Sequence, residues 1–419
     1  MQLPSGKVLR EIYGEEASVR ARFERLAGNF VRVYGDAQAE FFSAPGRTEI
    51  IGNHTDHNGG KVIAAAIDMD TIGAARPNGT RVIRITSEGY AKEIVVDLEQ
   101  VRRARLSGSP AQLSGTTALV AGMAEGAEKY GFAVSGFDAY VSTEVIAAAG
   151  VSSSASFEML VCAMFNTFFN EGKMTCTDYA KIGRYAENIY WNKASGMMDQ
   201  MACAVGGTVL FNFSDREESV YESLDFSFRD CGCELVIVNT GKGHADLSRE
   251  YSEVPKEMGE AAEKLGVSLL YETDLETLLA HCGEINNDRA VLRAIHFFEE
   301  TRRVEEAAEA IGEKDFAKAL RLMDESGNSS WELLQNCYSL QDCHEQKIPL
   351  TLALTNLFLR KIGGGICRVH GGGFAGVIMC VVPSEHCAEY VRFIGNYVGE
   401  ENVYPMNIRQ TGAVHMETE

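Results

Sequence analysis

The 11 cysteines contain no CxxC pair and are odd in number. This argues against a disulfide framework or a zinc ribbon and for a reducing compartment. Long apolar runs are also missing: a stretch such as Leu350–Leu359 falls far below the ~20 residues of a membrane span. The start of the chain, MQLPSGKVLREIYGEE, carries charges where a signal peptide needs an apolar segment. No long basic run offsets 39 Lys+Arg against 59 Asp+Glu, a formal charge of −20. Nucleic acid and anionic membranes are therefore poor partners. There is no fixed-period repeat and no low-complexity segment. A soluble, cytoplasmic protein is expected.

What is present suffices for real cores: 45% of 419 residues are hydrophobic, and at roughly 150 residues per domain two to three domains are expected. Helical spacing predicts an opening helix over 15–34, stopped by Gly35-Asp36. The short apolar run Glu40–Ala44 reads as a strand broken by Pro45-Gly46, with a polar loop reaching Gly60. Residues 61–76 and 81–87 read as strands separated by Pro77-Asn78-Gly79, and Glu93–Leu98 alternates. A strand over Phe137–Val145, small residues at 147–150 and a helix over Val151–Phe169 follow, then a helix over Tyr179–Tyr190. Gly206-Gly207 opens a strand at Thr208–Phe213, which places the domain division at 1–205 and 206–419. The second half offers a strand at Glu234–Asn239, a helical block from about Ser248 to Lys361, a strand at Phe374–Val382 and a helix at Ser384–Asn396. The pattern is α+β in two lobes.

Four segments could carry chemistry. Gly46–Gly60 gathers Arg47, Glu49, Asn53, His54, Asp56, His57 and Asn58, a density of hydrogen-bonding groups that suits a polyhydroxylated ligand, and equally a polar surface loop. His54 and His57 lack a third ligand at metal spacing. Gly150-Val151-Ser152-Ser153-Ser154-Ala155-Ser156 opens a long helix, so that backbone N–H groups and the dipole would face an anion, although a capping serine explains part of it. Gly196-Met197-Met198-Asp199-Gln200 sets an acid among apolar residues, where partial burial would raise its proton affinity, unless it is merely paired or capping. Gly371–Gly376 satisfies GxGxxG but precedes a strand, which rules out a dinucleotide fingerprint, and no GxxxxGK[ST] occurs, since Gly243 follows Gly241-Lys242.

Taken in order, these segments resemble the galactokinase branch of the superfamily that also holds homoserine, mevalonate and phosphomevalonate kinases, the GHMP kinases. The family patterns GRxNxIGEHTDYNGG, PxGxGLSSSA, GxMDQ after AEN or AEH, and GxGFGG are met here by GRTEIIGNHTDHNGG, IAAAGVSSSAS, GMMDQ after Ala186-Glu187-Asn188, and GGGFAG. Asn239–His244 with Ser248–Tyr251 looks like the family's NTxxxH…SxEY element. The resemblance spans nearly the whole chain.

It implies a two-lobed fold: a mixed-sheet domain like the second domain of ribosomal protein S5, then a ferredoxin-like α+β domain, with the site in the cleft. By the same resemblance Asp199 matches the acid that accepts the anomeric hydroxyl's proton and Arg47 its charge partner. Gly150, Ser152, Ser153, Ser154 and Ala155 match the ATP phosphate loop, and Ser154 with Glu187 the Mg²⁺ pair. Asn53, His54, Asp56, Gly196 and Tyr251 match the sugar side. The function implied is ATP- and Mg²⁺-dependent phosphorylation of galactose at C1, in the Leloir pathway, by a monomer or weak oligomer. Departures are Asn53 for the family's Glu, His57 for Tyr, and Ile146 and Ala148 for Pro and Gly. Asn53 leaves open another acceptor, N-acetylgalactosamine or arabinose. A non-catalytic galactose sensor is disfavoured, because Ser154-Ala155, Arg47 and Asp199 are present.

Overall fold

A computed structural model describes the chain except residues 36–37, 108–112, 147–149, 194, 216–219, 242–247, 341–343, 375 and 419, and except the side chains of 248 and 249. The small-residue loop at 147–149, residues 242–244 of the Asn239–His244 element and Ala375 of the glycine turn thus lie outside the described residues.

Two helices lead the chain, α1 (Gly6–Tyr13), capped by Ser5, and α2 (Ala17–Tyr34). In α2, Val19, Phe23, Leu26 and Phe30 share one buried stripe, the face that helical spacing requires. Strand β1 (Glu40–Ile51) then pairs with β2 (Lys61–Pro77). The break expected at Pro45-Gly46 is absent, and β1 runs on to Ile51 with its register shifting between Pro45 and Arg47. The irregularity has a local cause: Pro45 has no N–H for the ladder, while the Arg47 N–H bonds Val151 O at 3.1 Å instead of β2. Gly46 permits this, since a Cβ there would lie 2.7 Å from that carbonyl. Arg47 and Glu49 therefore stand on a strand, and the loop shrinks to residues 52–60.

The sheet continues through β3 (Val82–Ser87), β4 (Ile94–Asp97) and β5 (Phe137–Thr143), with α3 (Leu98–Leu106) and α4 (Gly115–Lys129) between β4 and β5. β3 and β5 are parallel and every other pair antiparallel, so the sheet is mixed, as expected. Helices α5 (Ser153–Phe169), α6 (Cys176–Tyr190) and α7 (Met198–Val205) follow, and α5 is buried along most of its length against β1 and β2. β6 (Thr208–Asn212) and β7 (Val220–Leu224) join this same sheet, as does the last strand of the chain, so the sheet draws on both sides of residue 206.

The second sheet holds β8 (Cys233–Asn239), β9 (Ile366–Val369), β10 (Val377–Pro383) and β11 (Val403–Met406), all antiparallel, in the order β11-β8-β10-β9. Numbered along the chain this is 4-1-3-2, the ferredoxin-like arrangement. The helical block between β8 and β9 resolves into α8 (Ser248–Lys264), α9 (Leu275–His281), α10 (Asp288–Gly312), α11 (Phe316–Ser329), a π turn at Ser330–Leu334 and α12 (Lys347–Ile362). Helix α13 (Ser384–Val398) links β10 to β11, and β12 (Val414–Met416) returns to pair with β1. β10 begins three residues later than expected, because Gly371–Phe374 forms turns and bends. Among the described residues no helix is long and apolar enough to cross a membrane.

Candidate active site

One cleft collects residues from β1, the 52–60 loop, α6, α7, α8 and the Gly371–Gly372 turn. At its floor the Arg47 guanidinium grips Asp199: Nε donates to Oδ1 at 2.8 Å and Nη2 lies 2.7 Å from the same oxygen. Arg47 also donates to Gly150 O, and the Ser152 hydroxyl donates to Asp199 Oδ2. Burial alone would raise the Asp199 carboxyl. Arg47, Lys193 and the Ser152 hydroxyl outweigh it and hold the group below its ordinary range. The raised proton affinity expected from apolar neighbours is thus not found, because a guanidinium comes with the burial. Asp199 is ionised at neutral pH.

The turn before α5 leaves backbone donors open beside Asp199. Gly150 is at φ 68° and Ser152 at φ 57°, ψ 61°, a left-handed conformation uncommon for serine. As the N-cap, Ser152 makes no side-chain capping bond, since its hydroxyl is turned to Asp199, and the first N–H groups of α5 keep their donor capacity. Ser153 and Ser154 begin the helix, and Ala155 is buried behind them. Ser154 Oγ donates to Glu187 Oε1 at 3.3 Å, across from the 1% exposed Glu187 on α6.

The opposite wall is made by the loop. His54, at φ 59°, donates from Nε2 to Gly372 O at 2.9 Å, and its ring packs on His57 and Tyr251 at 5.9 and 5.3 Å. Burial, then the nearby His57, lowers His54 to a pKa of about 3, so it is a neutral imidazole. Two glycines allow the close approach: a Cβ on Gly196 would sit 2.1 Å from Asp56 Oδ2, and one on Gly372 would sit 2.0 Å from the Tyr251 ring. Asp199, Arg47, His54, Asp56, Gly196, Tyr251, Ser152 and Glu187 therefore converge. Asn53 lines the same cleft but is fully buried and tied to protein groups on every side.

The same segments are matched in known proteins. The galactokinase galactose-binding signature matches residues 28–77, and the N-terminal domain of GHMP kinases matches 118–207. The chain is 29% identical over 388 residues to the galactokinase of Lactococcus lactis subsp. lactis, covering 91% of this chain and 92% of that one. It is 26% identical to the galactokinase of Clostridium tetani, over 88% and 91%. The crystal structure of Lactococcus lactis galactokinase complexed with galactose superposes with a TM-score of 0.79, at 26% identity over 95% of this chain and all of that one. Along most of its length the chain is similar to the galactokinase branch of the GHMP kinases. The mevalonate kinase of Methanococcus jannaschii, at 15% identity and a TM-score of 0.60, shares the fold.

The similarity to galactokinases indicates a kinase that uses ATP. The donor set fits a magnesium ion on chemical grounds: Ser154 and Glu187 offer a hydroxyl and a carboxylate, hard oxygens on facing helices, and Mg²⁺ prefers one or two such ligands plus phosphate oxygens and water. Three residues here were given no role of their own by sequence reasoning. Lys193 donates to Glu187 Oε1 at 2.7 Å and lies in the cleft. Gln200 donates to both the wholly buried Glu158, at 3.1 Å, and Glu187, at 3.4 Å. Glu49 bonds Asn53 and, at 3.1 Å, Arg368 of β9. Lys193 had no motif to flag it, whereas Gln200 was in view beside Asp199 and Glu49 inside the galactokinase signature.

Proposed function

We propose that the protein transfers the γ-phosphoryl group of ATP to the C1 hydroxyl of α-D-galactose, giving galactose 1-phosphate and ADP in galactose metabolism. One observation carries this reading: an ionised aspartate, held by an arginine and a serine, lies between an uncapped helix start and a wall of sugar-sized polar groups.

Asp199 accepts the proton of the anomeric hydroxyl as that oxygen bonds to the γ-phosphorus and the bond from phosphorus to the β–γ bridging oxygen breaks. The low pKa makes Asp199 a weak base. This suits a loose transition state, in which the attacking hydroxyl keeps its proton until late. Arg47 fixes the carboxylate and offsets the charge gathering near the transferring group. The Ser152–Ala155 turn binds phosphate oxygens through N–H groups, and His54, Asp56 and Tyr251 orient the sugar. Ser154 and Glu187 would hold Mg²⁺, whose chemistry is charge neutralisation on the phosphates.

A second acceptor, N-acetylgalactosamine or arabinose, is favoured by one feature. The amide of Asn53 has no free donor or acceptor for a sugar hydroxyl. ADP release with a panel of free sugars, run on the native protein and Asp199→Asn, tests both readings. Galactose turnover that falls by about 10³-fold or more in the variant supports the first. Turnover of another sugar with galactose inert selects the second, and inertness to every sugar removes both.

A further inference from the structure

The acceptor pocket contains an acid that the motif comparison passes over. Asn53 is a residue with four hydrogen-bonding valences, and all are taken inside the protein. Its Nδ2 donates to Glu49 Oε1 and Oε2 at 3.0 and 3.2 Å and to Gly371 O at 2.5 Å, while Oδ1 accepts from Asn336 Nδ2 at 2.7 Å and Ser330 Oγ at 3.5 Å. At 0% exposure it has nothing left for a ligand. Glu49 is the reverse case. It lines the same cleft and is 4% exposed, its Oε1 takes Asn53 and Arg368, and its Oε2 takes only the longer arm of the shared Asn53 donor. A carboxylate has about four acceptor sites, so Oε2 keeps capacity for a hydroxyl. The galactokinase pattern GRxNxIGEHTDYNGG carries Asn where this chain has Glu49, and Glu where it has Asn53. The acid and the amide have exchanged places across one hydrogen bond.

We infer that Glu49, reaching the pocket from strand β1, is the specificity-determining carboxylate for an acceptor hydroxyl, and that Asn53 is the bracket that aims it. This rests on the sugar-kinase reading above. Both partners are clamped from the second lobe: Arg368 holds Glu49, and Asn336 with His296, whose Nε2 donates to Asn53 O at 2.9 Å, holds Asn53. The acid therefore meets the sugar from the sheet side of the cleft, at a different angle from an acid at residue 53. The set of preferred hydroxyls shifts accordingly.

The test pairs variants with ligands. The KM of galactose and of its 2-, 3-, 4- and 6-deoxy analogues is measured by ADP release for the native protein, Glu49→Gln, Glu49→Asp and Asn53→Ala, with melting temperatures alongside. For the native protein, assayed at about pH 8 so that Glu49 is ionised, one analogue is expected to show a KM raised about tenfold or more, the worth of a hydrogen bond to a charged group. That penalty disappears in Glu49→Gln and, because the shorter chain withdraws the oxygen while keeping the charge beside Arg368, in Glu49→Asp. It shrinks without vanishing in Asn53→Ala, which loses stability and one of the two holds on Glu49 while Arg368 keeps the other. The KM of ATP stays within about twofold throughout. A penalty that survives both Glu49 variants, or that Asn53→Ala abolishes, overturns the inference while leaving the kinase reading intact. A native protein inert to every sugar overturns the kinase reading, and the inference with it.

Discussion

Asp199 shows how a single side chain is tuned by what comes with its burial: Arg47, the Ser152 hydroxyl and Lys193 together reverse the direction that desolvation sets. The buried histidines have no such compensation. Burial lowers His54, His296 and His370, the last helped by Arg47 and Arg368, so all three stay neutral in the fold. The unfolded chain binds protons at these residues as pH falls through about 6.5, whereas the native chain takes one up at His54 only near pH 3. Stability contributed by the three is present above pH 6.5 and is lost progressively below it. Glu49, pushed up to about 7 by burial, works in the opposite sense over pH 7 to 4.5, as do Glu158 and Asp324, which desolvation also raises. Asp199, Asp70 and Glu300 are held low by their partners and side with the histidines at lower pH. Calorimetry should give a melting temperature lower at pH 5 than at pH 7, and a smaller drop in His370→Gln; a melting temperature that holds or rises toward pH 5 contradicts this. At residue 53, Asn53→Glu sets a second carboxylate against Glu49 and the Gly371 carbonyl, so it should cost on the order of 3 kcal/mol in urea unfolding. An unchanged midpoint would mean that the amide is not bound as described.

Among the elements, the glycine turn at Gly371–Gly372 and helix α8 meet at closest range over the cleft. In Gly372→Ala the new methyl would overlap the Tyr251 ring at 2.0 Å, so the ring moves out and His54 loses its carbonyl anchor. The expected result is a sugar KM raised about tenfold or more with the KM of ATP nearly unchanged; equal changes in both would show a general collapse instead. This turn and the triple-serine start of α5 were legible in the sequence because their residues are local in the chain. Strand β1 was not fully legible. Pro45-Gly46 is a stop signal by every local rule, and only the long-range bond from Arg47 N to Val151 O shows why the strand continues. Short edge strands such as β7, mostly exposed, and β12, three residues long, leave no periodicity to read. The partners of Asn53 lie 283 and 318 residues away in Asn336 and Gly371, beyond any local pattern.

For the whole molecule, the lobes share a core as well as a cleft. Ile50, Ile51 and Ile63 of the first sheet pack in one cluster with Leu235, Ile237, Val377 and Met379 of the second. The chain's end returns to the first sheet through β12, and Arg409, buried behind it, bonds Asp70 at 2.9 Å and Ser43 at 2.8 Å. A fragment of residues 1–205 would lose β6, β7, β12 and the Arg409 bond to the wholly buried Asp70. It should show no cooperative unfolding transition, while the full chain melts in one; a sharp transition for the fragment would show that the first lobe stands alone. The cleft spans the same joint, because Arg47 and Glu49 of the first lobe line it together with Tyr251 and Gly372 of the second, and Glu49 bonds Arg368. Phosphorus-31 NMR of galactose incubated with ATP, Mg²⁺ and the native protein follows the transfer itself. A phosphate resonance coupled to the anomeric proton of the α-sugar, absent with Asp199→Asn, is the predicted result; a phosphate on any other carbon, or full product from the variant, would contradict it.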